Sequence, residues 1–543
     1  MYHTSYDTEK RQWNGVKTNP SFNSQTSLGS VILNTLLENG LKVAQVCAIT
    51  GAKTTFNELH TLSICAAKKL QSLGYKKGDV ILLFTNNSAD VQPLVFAALS
   101  LGCPILAEVT VHGAAEICRT LTSIRPKIVI CDDKFYPMLK ECMISMKIIP
   151  DFFIFGNQPA DTRPIKYLFE NFDDELHFVP AKINAIDDVA FMVCTSGSTG
   201  NAKGVPLTHA NVLNRMSKMS FMTPDDVMIG FTSVDAISGI RYLISGTLNG
   251  STRIVNQGKF TVERLFELVE KFKITFTSST MFCVHQMLNH PKIETANLSS
   301  MKIFRAGGAT MSYKDIQKLN QYLPNGKFAH SLGMTEMAGV VSINLLHANN
   351  NCVGQLVDDL EAKIVDDQGE RLGVNEIGEL CLRDPFLFKG YLGDDESTSK
   401  CFDSEGFFKT GDLARFDENN DLFIIDRKKE QFKCLSYHVI PAEIQEFLNQ
   451  IDGVYDSCVV PIPDPNYDSL PAAVLIKADN STCTEESIED AVANNFADHK
   501  QLRGGVYFVD SFPKTNTGKL ARRSVIEMAQ KLYNESKKKA QQN

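Results

Sequence analysis

Hydroxyls, glycines and one lysine are concentrated in residues 195–204, TSGSTGNAKG. The hydroxyls belong to Thr195, Ser196, Ser198 and Thr199, and the glycines are Gly197, Gly200 and Gly204. Glycines let backbone N–H groups approach a ligand closely, and Lys203 adds a positive charge. Backbone N–H groups, hydroxyls and a cation together bind polyphosphate in proteins, so we predict a phosphate-binding loop here.

This loop differs from the Walker A loop, in which a lysine directly follows a glycine and precedes Ser or Thr. Here Ala202 precedes Lys203 and Gly204 follows it. Residues 189–194 have the pattern of a buried strand, and Thr208 is placed to cap a helix over residues 209–216. A flexible Ser/Gly linker, the alternative, would not be held between a buried strand and a capped helix.

The elements around the loop alternate between strands and helices. Residues 57–74 have helical spacing, residues 79–84 and 126–133 are short strands, and residues 262–280 predict a helix followed by a strand. Such alternation is typical of an α/β fold with largely parallel sheets and helices on both faces. Sites in these folds lie beyond the carboxyl ends of the strands.

The pattern changes from about residue 360, where short strands are joined by Asp, Asn and Gly turns. Residues 424–431 are polar and form a candidate junction. The roughly 110 residues that follow are enough for a small mixed α/β domain. We expect the last residues, 535–543, to be frayed.

Bulk composition limits the class of protein. The chain has 543 residues, too many for one core, and a net charge of −8 argues against a general nucleic-acid binder. Residues 93–109 are the longest apolar stretch, and Gly102 and Pro104 interrupt it, so no transmembrane segment is expected. The 14 cysteines include no CxxC pair, and the first residues lack the apolar core of a signal peptide. We therefore expect reduced thiols and a cytoplasmic protein.

Six further motifs follow the loop in order. They are RAGGAT (305–310), LGMTE (332–336), GELCLR (378–383), TGDLARF (410–416), IDRKKEQFK (425–433) and KTNTGKLAR (514–522). With the loop, this series resembles the adenylate-forming, or AMP-binding, superfamily over nearly the whole chain. That superfamily contains acyl-CoA synthetases, beetle luciferases and the adenylation domains of peptide synthetases. In its residue pattern, the chain is most similar to luciferase-like insect acyl-CoA synthetases.

The resemblance implies a reaction in two halves. A carboxylate attacks the α-phosphate of ATP to give an acyl-adenylate and pyrophosphate, and a thiol, usually coenzyme A, then displaces AMP. It also implies a large N-terminal AMP-binding domain of several subdomains (1–427) for ATP and the acid. A small mobile α+β C-terminal domain (428–543) would swing about Lys429 and close the site.

The resemblance further assigns roles to individual residues. Glu336 would bind Mg²⁺ and Thr335 the nucleotide phosphate, while Asp412 and Arg427 would hold the ribose. Lys519 would reach the reacting carboxylate as the catalytic lysine of the mobile domain. The remaining matched positions are Gly307, Gly308, Ala309, Leu332 and Gly333 around the adenine, the phosphate loop with Lys203, and Lys433 in the thiol half-reaction.

Three positions depart from the family pattern. Leu332 replaces an aromatic residue that stacks on adenine, and Ser436 replaces a glycine near the path of the thiol. Residues 234–240, VDAISGI, lack the histidines of luciferases, and Asp235 lies where amino-acid-activating relatives keep an aspartate. We interpret Asp235 as a helix cap, which leaves amino-acid activation as the alternative.

The sequence thus predicts an acid–CoA ligase for a medium- or long-chain fatty acid, with residues 233–242 and 278–283 as the acyl wall. The alternatives are an amino-acid or aryl-acid activator, a luciferase-like oxygenase, and a catalytically weak protein that binds a fatty acid or nucleotide. The expected partners are a small carboxylic acid, ATP and coenzyme A, without nucleic acid. The peroxisomal Ser-Lys-Leu ending of many relatives is absent.

Overall fold

The computed structural model describes the whole chain apart from a set of short gaps. These are residues 1, 19–21, 87, 109, 111–113, 171–177, 196–202, 218–220, 233, 309–310, 312, 346–350, 436, 465–466, 515–519 and 543. The chain forms two compact units. Unit 1 comprises Met1–Ala362 and Leu382–Phe408, and unit 2 comprises Lys363–Cys381 and Lys409–Asn543.

The described residues form 14 α-helices. They are α1 (Leu28–Asn39), α2 (Phe56–Ser72), α3 (Val91–Leu101), α4 (Ala114–Thr120), α5 (Tyr136–Ser145), α6 (His209–Met216), α7 (Ile237–Leu248), α8 (Val262–Phe272), α9 (Met281–Leu288), α10 (Tyr313–Gln321), α11 (Asp395–Cys401), α12 (Pro441–Leu448), α13 (Glu485–Asn495) and α14 (Arg522–Gln542).

They also form 27 strands. These are β1 (Thr4–Asp7), β2 (Gln12–Gly15), β3 (Val43–Cys47), β4 (Lys53–Thr55), β5 (Ile81–Phe84), β6 (Ile105–Ala107), β7 (Ile128–Asp132), β8 (Asp151–Phe155), β9 (Arg163–Pro164), β10 (Val189–Thr195), β11 (Lys203–Thr208), β12 (Val227–Ile229), β13 (Thr252–Val255), β14 (Phe276–Thr280), β15 (Ile303–Gly307), β16 (Lys327–Met334), β17 (Gly339–Ile343), β18 (Gln355–Leu356), β19 (Glu361–Val365), β20 (Gly378–Arg383), β21 (Phe408–Phe416), β22 (Leu422–Arg427), β23 (Phe432–Cys434), β24 (Tyr437–Val439), β25 (Val454–Asp464), β26 (Asp468–Lys477) and β27 (Val506–Phe508).

Unit 1 is built on two large sheets. One has seven strands in the order β11-β10-β6-β5-β7-β8-β9, and the other has nine in the order β18-β17-β16-β15-β14-β12-β13-β3-β4. Strands β3, β13, β12, β14, β15 and β16 run parallel to their neighbours in that series. Helices α1, α2, α3 and α7 share one apolar core with the seven-stranded sheet, and α4 and α5 cover its other face. The predicted α/β class is therefore confirmed.

Local signals in the sequence placed most elements of unit 1 correctly. The predicted helix over 57–74 is α2, and the strand–helix boundaries over 189–216 and 262–280 also agree. Thr208 caps α6 as predicted, because its hydroxyl accepts from the Asn211 N–H at 3.2 Å. The Asn211 side chain accepts in return from the Thr208 N–H at 2.7 Å, which completes a capping box.

Unit 2 contains a small α+β fold. Strands β24, β23, β26 and β25 form an antiparallel sheet, and β27 pairs parallel to β26. Helices α12 and α13 cover one apolar cluster of this sheet and α14 covers another. Helix α14 extends to Gln542, and a frayed end stays a prediction. A functional domain boundary at residue 427 stays a prediction.

The cysteines differ from expectation at one pair. Cys118, at the start of the last turn of α4, and Cys142, on α5, are joined by a disulfide. The prediction of reduced thiols was therefore wrong for this pair, because the fold brings together two cysteines separated by 24 positions. The other 12 cysteines form no disulfide within the described part of the chain.

Candidate active site

The carboxyl ends of three parallel strands in unit 1 bring together the predicted nucleotide segments. On β14 and β15, Thr280 lies opposite Gly307, and on β15 and β16 Gly307 lies opposite Ser331. Strand β16 then carries Leu332 and Gly333 before a short 3-10 turn, Thr335–Met337. The two motifs RAGGAT and LGMTE are thus neighbours at one sheet edge, where sites of parallel sheets are expected.

Two glycines of this edge are required by their surroundings. A Cβ on Gly307 would lie 2.3 Å from the carbonyl oxygen of Ser331, which no side chain tolerates. Gly308 has φ +89°, in the left-handed region that favours glycine. Gly307 is therefore required by its packing against β16, whereas Gly308 is exposed and leaves its backbone open to a flat ligand.

A charged cluster beside this edge joins two residues that are far apart in sequence. The Lys203 Nζ lies 2.7 Å from the Ser397 Oγ and 4.6 Å from the ring centre of Tyr391. The Tyr391 hydroxyl donates to the Glu336 Oε1 at 3.0 Å. Lys203 and Glu336, both predicted site residues, therefore contact the same tyrosine, one at its ring and the other at its hydroxyl.

Tyr391 keeps its proton at neutral pH. Burial is the main cause that raises the pKa of Tyr391, and the neighbouring Glu336 carboxylate raises it further. The hydroxyl consequently remains a donor to Glu336. Asp394 adds a second carboxylate, whose Oδ2 lies 4.0 Å from the Lys203 Nζ.

Sequence reasoning missed the segment that carries Tyr391, Asp394 and Ser397. These residues lie in FKGYLGDDESTS (388–399), which follows β20 and includes the first residues of α11. Gly390, with φ +139°, and an Asp that caps α11 by accepting from the Ser397 N–H at 2.9 Å were the available local signals. Such signals predict a turn and a helix start, and only the fold shows that the turn faces Lys203.

In unit 2, the predicted ribose pair is brought together by a hairpin. Asp412 on β21 lies directly opposite Arg427 on β22. The Arg427 Nε lies 2.8 Å from the Asp412 Oδ1, and the Asp412 side chain is only 4 % exposed. The Asp412 N–H also donates to the Thr410 hydroxyl at 3.0 Å, which fixes the strand before it.

The structure describes only some of the predicted site residues. Ser196, Gly197, Ser198, Thr199, Gly200, Ala309, Ser436 and Lys519 lie outside the described residues. Thr195 is the last residue of β10, and Lys433 is exposed on β23 opposite His438. Lys429 lies in a 3-10 turn, Lys428–Glu430, within unit 2.

The start of α7 corrects one interpretation. Its N-cap residue is Ala236, which makes no side-chain capping bond, so Asp235 is not the cap.

Leu332 is half-buried on β16, opposite Ser342. It presents an aliphatic side chain where the family pattern has an aromatic residue.

The chemistry of the oxygen donors indicates which metal ion the site residues fit. Within the described residues, no group of three or more His, Cys, Asp or Glu side chains can hold a metal ion. Magnesium, however, binds through one or two carboxylates together with substrate phosphates and water. Glu336, a carboxylate beside Lys203 and Tyr391, fits that mode of binding.

No described helix is both long and apolar enough to cross a membrane.

Comparison with known proteins agrees with this geometry. The family model described as AMP-binding enzyme matches residues 38–392, and that of the AMP-binding enzyme C-terminal domain matches residues 443–519. A probable CoA ligase of Humulus lupulus is 30 % identical over 505 residues, covering 90 % of each chain. A 4-coumarate–CoA ligase of Petroselinum crispum is 28 % identical over 500 residues, covering 90 % of this chain and 91 % of the relative.

Solved structures share the fold. ATP-bound MatB from Rhodopseudomonas palustris matches with a TM-score of 0.83 and 23 % identity, over 94 % of this chain and 100 % of its own. A luciferase-like enzyme from the nonluminescent mealworm Zophobas morio matches with a TM-score of 0.70 and 26 % identity, over 77 % of this chain and 99 % of its own. The chain is therefore a member of the AMP-binding enzyme family, the adenylate-forming superfamily that its motifs resemble.

Proposed function

We propose that this protein is an ATP-dependent acid–thiol ligase. It adenylates a carboxylate, releases pyrophosphate, and transfers the acyl group to coenzyme A with release of AMP. The observation that carries the proposal is the convergence of Lys203 and Glu336 on Tyr391. Membership of the AMP-binding enzyme family supports it.

In this proposal, unit 1 holds the triphosphate and the base. The Lys203 ammonium binds phosphate oxygens, the Thr335 hydroxyl donates to another, and Tyr391 keeps Glu336 in place. The backbone at Gly307 and Gly308 takes the adenine, as the family pattern implies. Mg²⁺, held by Glu336 and the phosphates, would neutralise charge on the leaving pyrophosphate. Positioning and charge stabilisation then account for the rate, because the protein forms no covalent bond to the substrate.

The ribose hydroxyls are assigned to the Asp412 carboxylate. A carboxylate accepts two hydroxyl donors at once, and Asp412 is buried and fixed by the Arg427 guanidinium. Lys519 and Lys433 keep the roles that the family pattern implies, the first in adenylation and the second in thiol transfer.

The acid is the least constrained part of the proposal. A medium- or long-chain fatty acid was the expectation from the sequence, whereas the relatives include 4-coumarate–CoA ligases, which favours an aryl acid equally. An amino acid is the third candidate, since Asp235, which does not cap α7, lies where amino-acid-activating relatives keep an aspartate.

The proposal is tested by AMP formation. Purified protein is incubated with ATP, Mg²⁺ and a panel of fatty, aryl, dicarboxylic and amino acids, with and without coenzyme A. We expect AMP to depend on the acid and to rise further with coenzyme A, and Glu336→Gln to abolish both. Lys389→Met is the matched control, because its ammonium pairs with Asp187 on the surface at 2.5 Å and should leave the rate unchanged. A protein that binds ATP but forms no AMP with any acid would instead be a catalytically weak binding homologue.

A further inference from the structure

One arginine of unit 2 joins three separate segments through a single guanidinium group. Arg522 is the first residue of α14, and its side chain is 15 % exposed. Its Nε lies 2.7 Å from the Glu430 Oε2, at the end of the 3-10 turn over residues 428–430. Its two terminal nitrogens donate to the Gln445 Oε1 on α12, at 3.2 Å, and to the Val459 carbonyl oxygen on β25. The planar guanidinium is therefore bonded in three directions at once.

The partners of Arg522 are themselves held in place. The Gln445 Oε1 also accepts from the Val459 N–H at 2.9 Å, so the arginine joins an existing contact between α12 and β25. The Ser457 hydroxyl donates to the Gln445 carbonyl oxygen at 3.3 Å. Of the three partners, Glu430 carries the charge that complements the guanidinium, and hydrogen bonds between charged groups are stronger than neutral ones.

The two ends of the chain segment that precedes Arg522 are held together. Lys514 lies opposite Leu520 in an antiparallel bridge. Beside this bridge, the Ala521 N–H donates to the Pro513 carbonyl oxygen at 2.9 Å. Arg522 follows directly, so its guanidinium anchors the base of this segment to α12, to β25 and to the turn at 428–430.

This anchor bears on the proposed reaction because of what the segment carries. Lys519, to which the family pattern assigns the adenylation step, lies three positions before Arg522 in the chain. Its ammonium group must come within hydrogen-bond distance of the reacting carboxylate, and a misplacement of about 1 Å can cost about 100-fold in rate. The turn at 428–430 contains Lys429, about which the small domain is expected to swing. Arg522 thus connects the two parts of unit 2 that bear on the placement of Lys519.

We propose that Arg522 is a positioning residue for adenylation, because its guanidinium fixes the base of the segment that carries Lys519 to the turn at 428–430. This inference rests on the proposed function. Arg522 touches no reacting atom and acts through Lys519. Lys433, assigned to thiol transfer, lies on β23, which is held by its own pairing with β24 and β26. Thiol transfer should therefore depend little on Arg522.

The test measures the two half-reactions separately. Adenylation is followed as acid-dependent exchange of pyrophosphate into ATP, with the acid that gives the most AMP in the panel of fatty, aryl, dicarboxylic and amino acids. Thiol transfer is followed as AMP release from the synthetic adenylate of the same acid with coenzyme A. We expect Arg522→Met to lower kcat of adenylation by about 10-fold or more, the effect of a lost hydrogen bond to a charged group. The KM for ATP and the rate of thiol transfer should stay within about twofold of wild type.

Arg523→Met is the matched control. Arg523 is the next residue of α14, but its side chain is 91 % exposed and pairs within the helix, with Glu527 at 3.3 Å. Its loss should leave both half-reactions within about twofold of wild type. If Arg522→Met fails to fold, Glu430→Gln removes the charge opposite the guanidinium and should lower adenylation in the same selective way.

Hydrogen exchange at the Ala521 amide reports the anchor without any activity. This amide donates to the Pro513 carbonyl oxygen, which protects it from exchange. Arg522→Met should speed its exchange by about 10-fold or more, whereas Arg523→Met should not. Unchanged exchange in Arg522→Met would overturn the anchoring and the inference with it.

The remaining outcomes separate this inference from the proposed function. Selective loss of adenylation together with faster exchange at Ala521 would support the positioning role. An equal loss in both half-reactions would show that Arg522 serves stability alone and would overturn it. Adenylation at the wild-type rate in Arg522→Met would overturn the positioning role and leave the ligase intact. A wild-type protein that forms no AMP from any acid would overturn the ligase, and the positioning role would fall with it.

Discussion

The hydroxyl of Tyr391 should matter to the rate although it touches no reacting atom in our proposal. Tyr391→Phe removes only the hydrogen bond to the Glu336 carboxylate, 3.0 Å long in the structure. The phenyl ring stays, so the contact between the ring and the Lys203 ammonium, 4.6 Å from its centre, is retained. The substitution therefore isolates the positioning of Glu336.

The size of the effect follows from the type of bond. A hydrogen bond to a charged group contributes about 1.5–3 kcal/mol, which corresponds to a roughly 10- to 100-fold loss of kcat/KM. Tyr391→Leu should lose a further factor of about 2–5, because a partly exposed cation–π contact adds about 0.5–1 kcal/mol. The order of rates is thus wild type, then Phe, then Leu.

The assay is kcat/KM for ATP in acid-dependent AMP formation, with the melting temperature of each variant measured in parallel. Tyr136→Phe is the matched control, because the Tyr136 hydroxyl also donates to a carboxylate, Asp161, at 2.6 Å, away from the site. A Tyr391→Phe enzyme within twofold of wild type would refute the positioning role. So would an equal loss in the Tyr136 variant.

Three further perturbations have defined outcomes. Asp412→Asn removes a buried charge held at 2.8 Å by Arg427, so AMP affinity by calorimetry should fall about 10-fold or more, and unchanged affinity would contradict the ribose assignment. Cys118→Ser removes the disulfide that closes a loop of 24 positions, so the free energy of unfolding should fall by about 3 kcal/mol. A count of 14 thiols, and not 12, in unfolded and unreduced protein would disprove the disulfide. Burial lowers the pKa of His209 in the folded protein from 6.5 to about 4. Between pH 6.5 and pH 4 the unfolded chain therefore binds a proton that the folded protein does not bind. The free energy of unfolding should fall by up to about 3 kcal/mol as the pH drops through this range. His209→Gln should remove that part of the loss in denaturant titrations, and an identical pH dependence would exclude His209 as its source.

Sequence alone predicted those parts of the fold that depend on local pattern. The capping of α6 by Thr208 follows from side-chain chemistry within four residues, and the alternation of strands and helices follows from hydrophobic period. The pairing of Asp412 with Arg427 came instead from the family resemblance, and the hairpin is consistent with it.

Contacts over long sequence distance could not be predicted in this way. Tyr391 meets Lys203 and Glu336 only because three separate segments converge at one sheet edge. The disulfide between Cys118 and Cys142 has the same origin, since neither α4 nor α5 carries a local signal for its neighbour. The cap assigned to Asp235 failed by one residue, within the usual uncertainty of a helix start.

In the proposed ligase, Lys203 and Glu336 act on one bound nucleotide. The most direct measurement is a double-mutant cycle on acid-dependent AMP formation with Lys203→Met, Glu336→Gln and the variant that combines them. Residues that act as one unit give strongly non-additive effects, so we expect each single variant to lose most of the activity and the double variant to lose little more. Two independent losses that multiply in the double variant, or AMP formation unaffected by either change, would contradict the account.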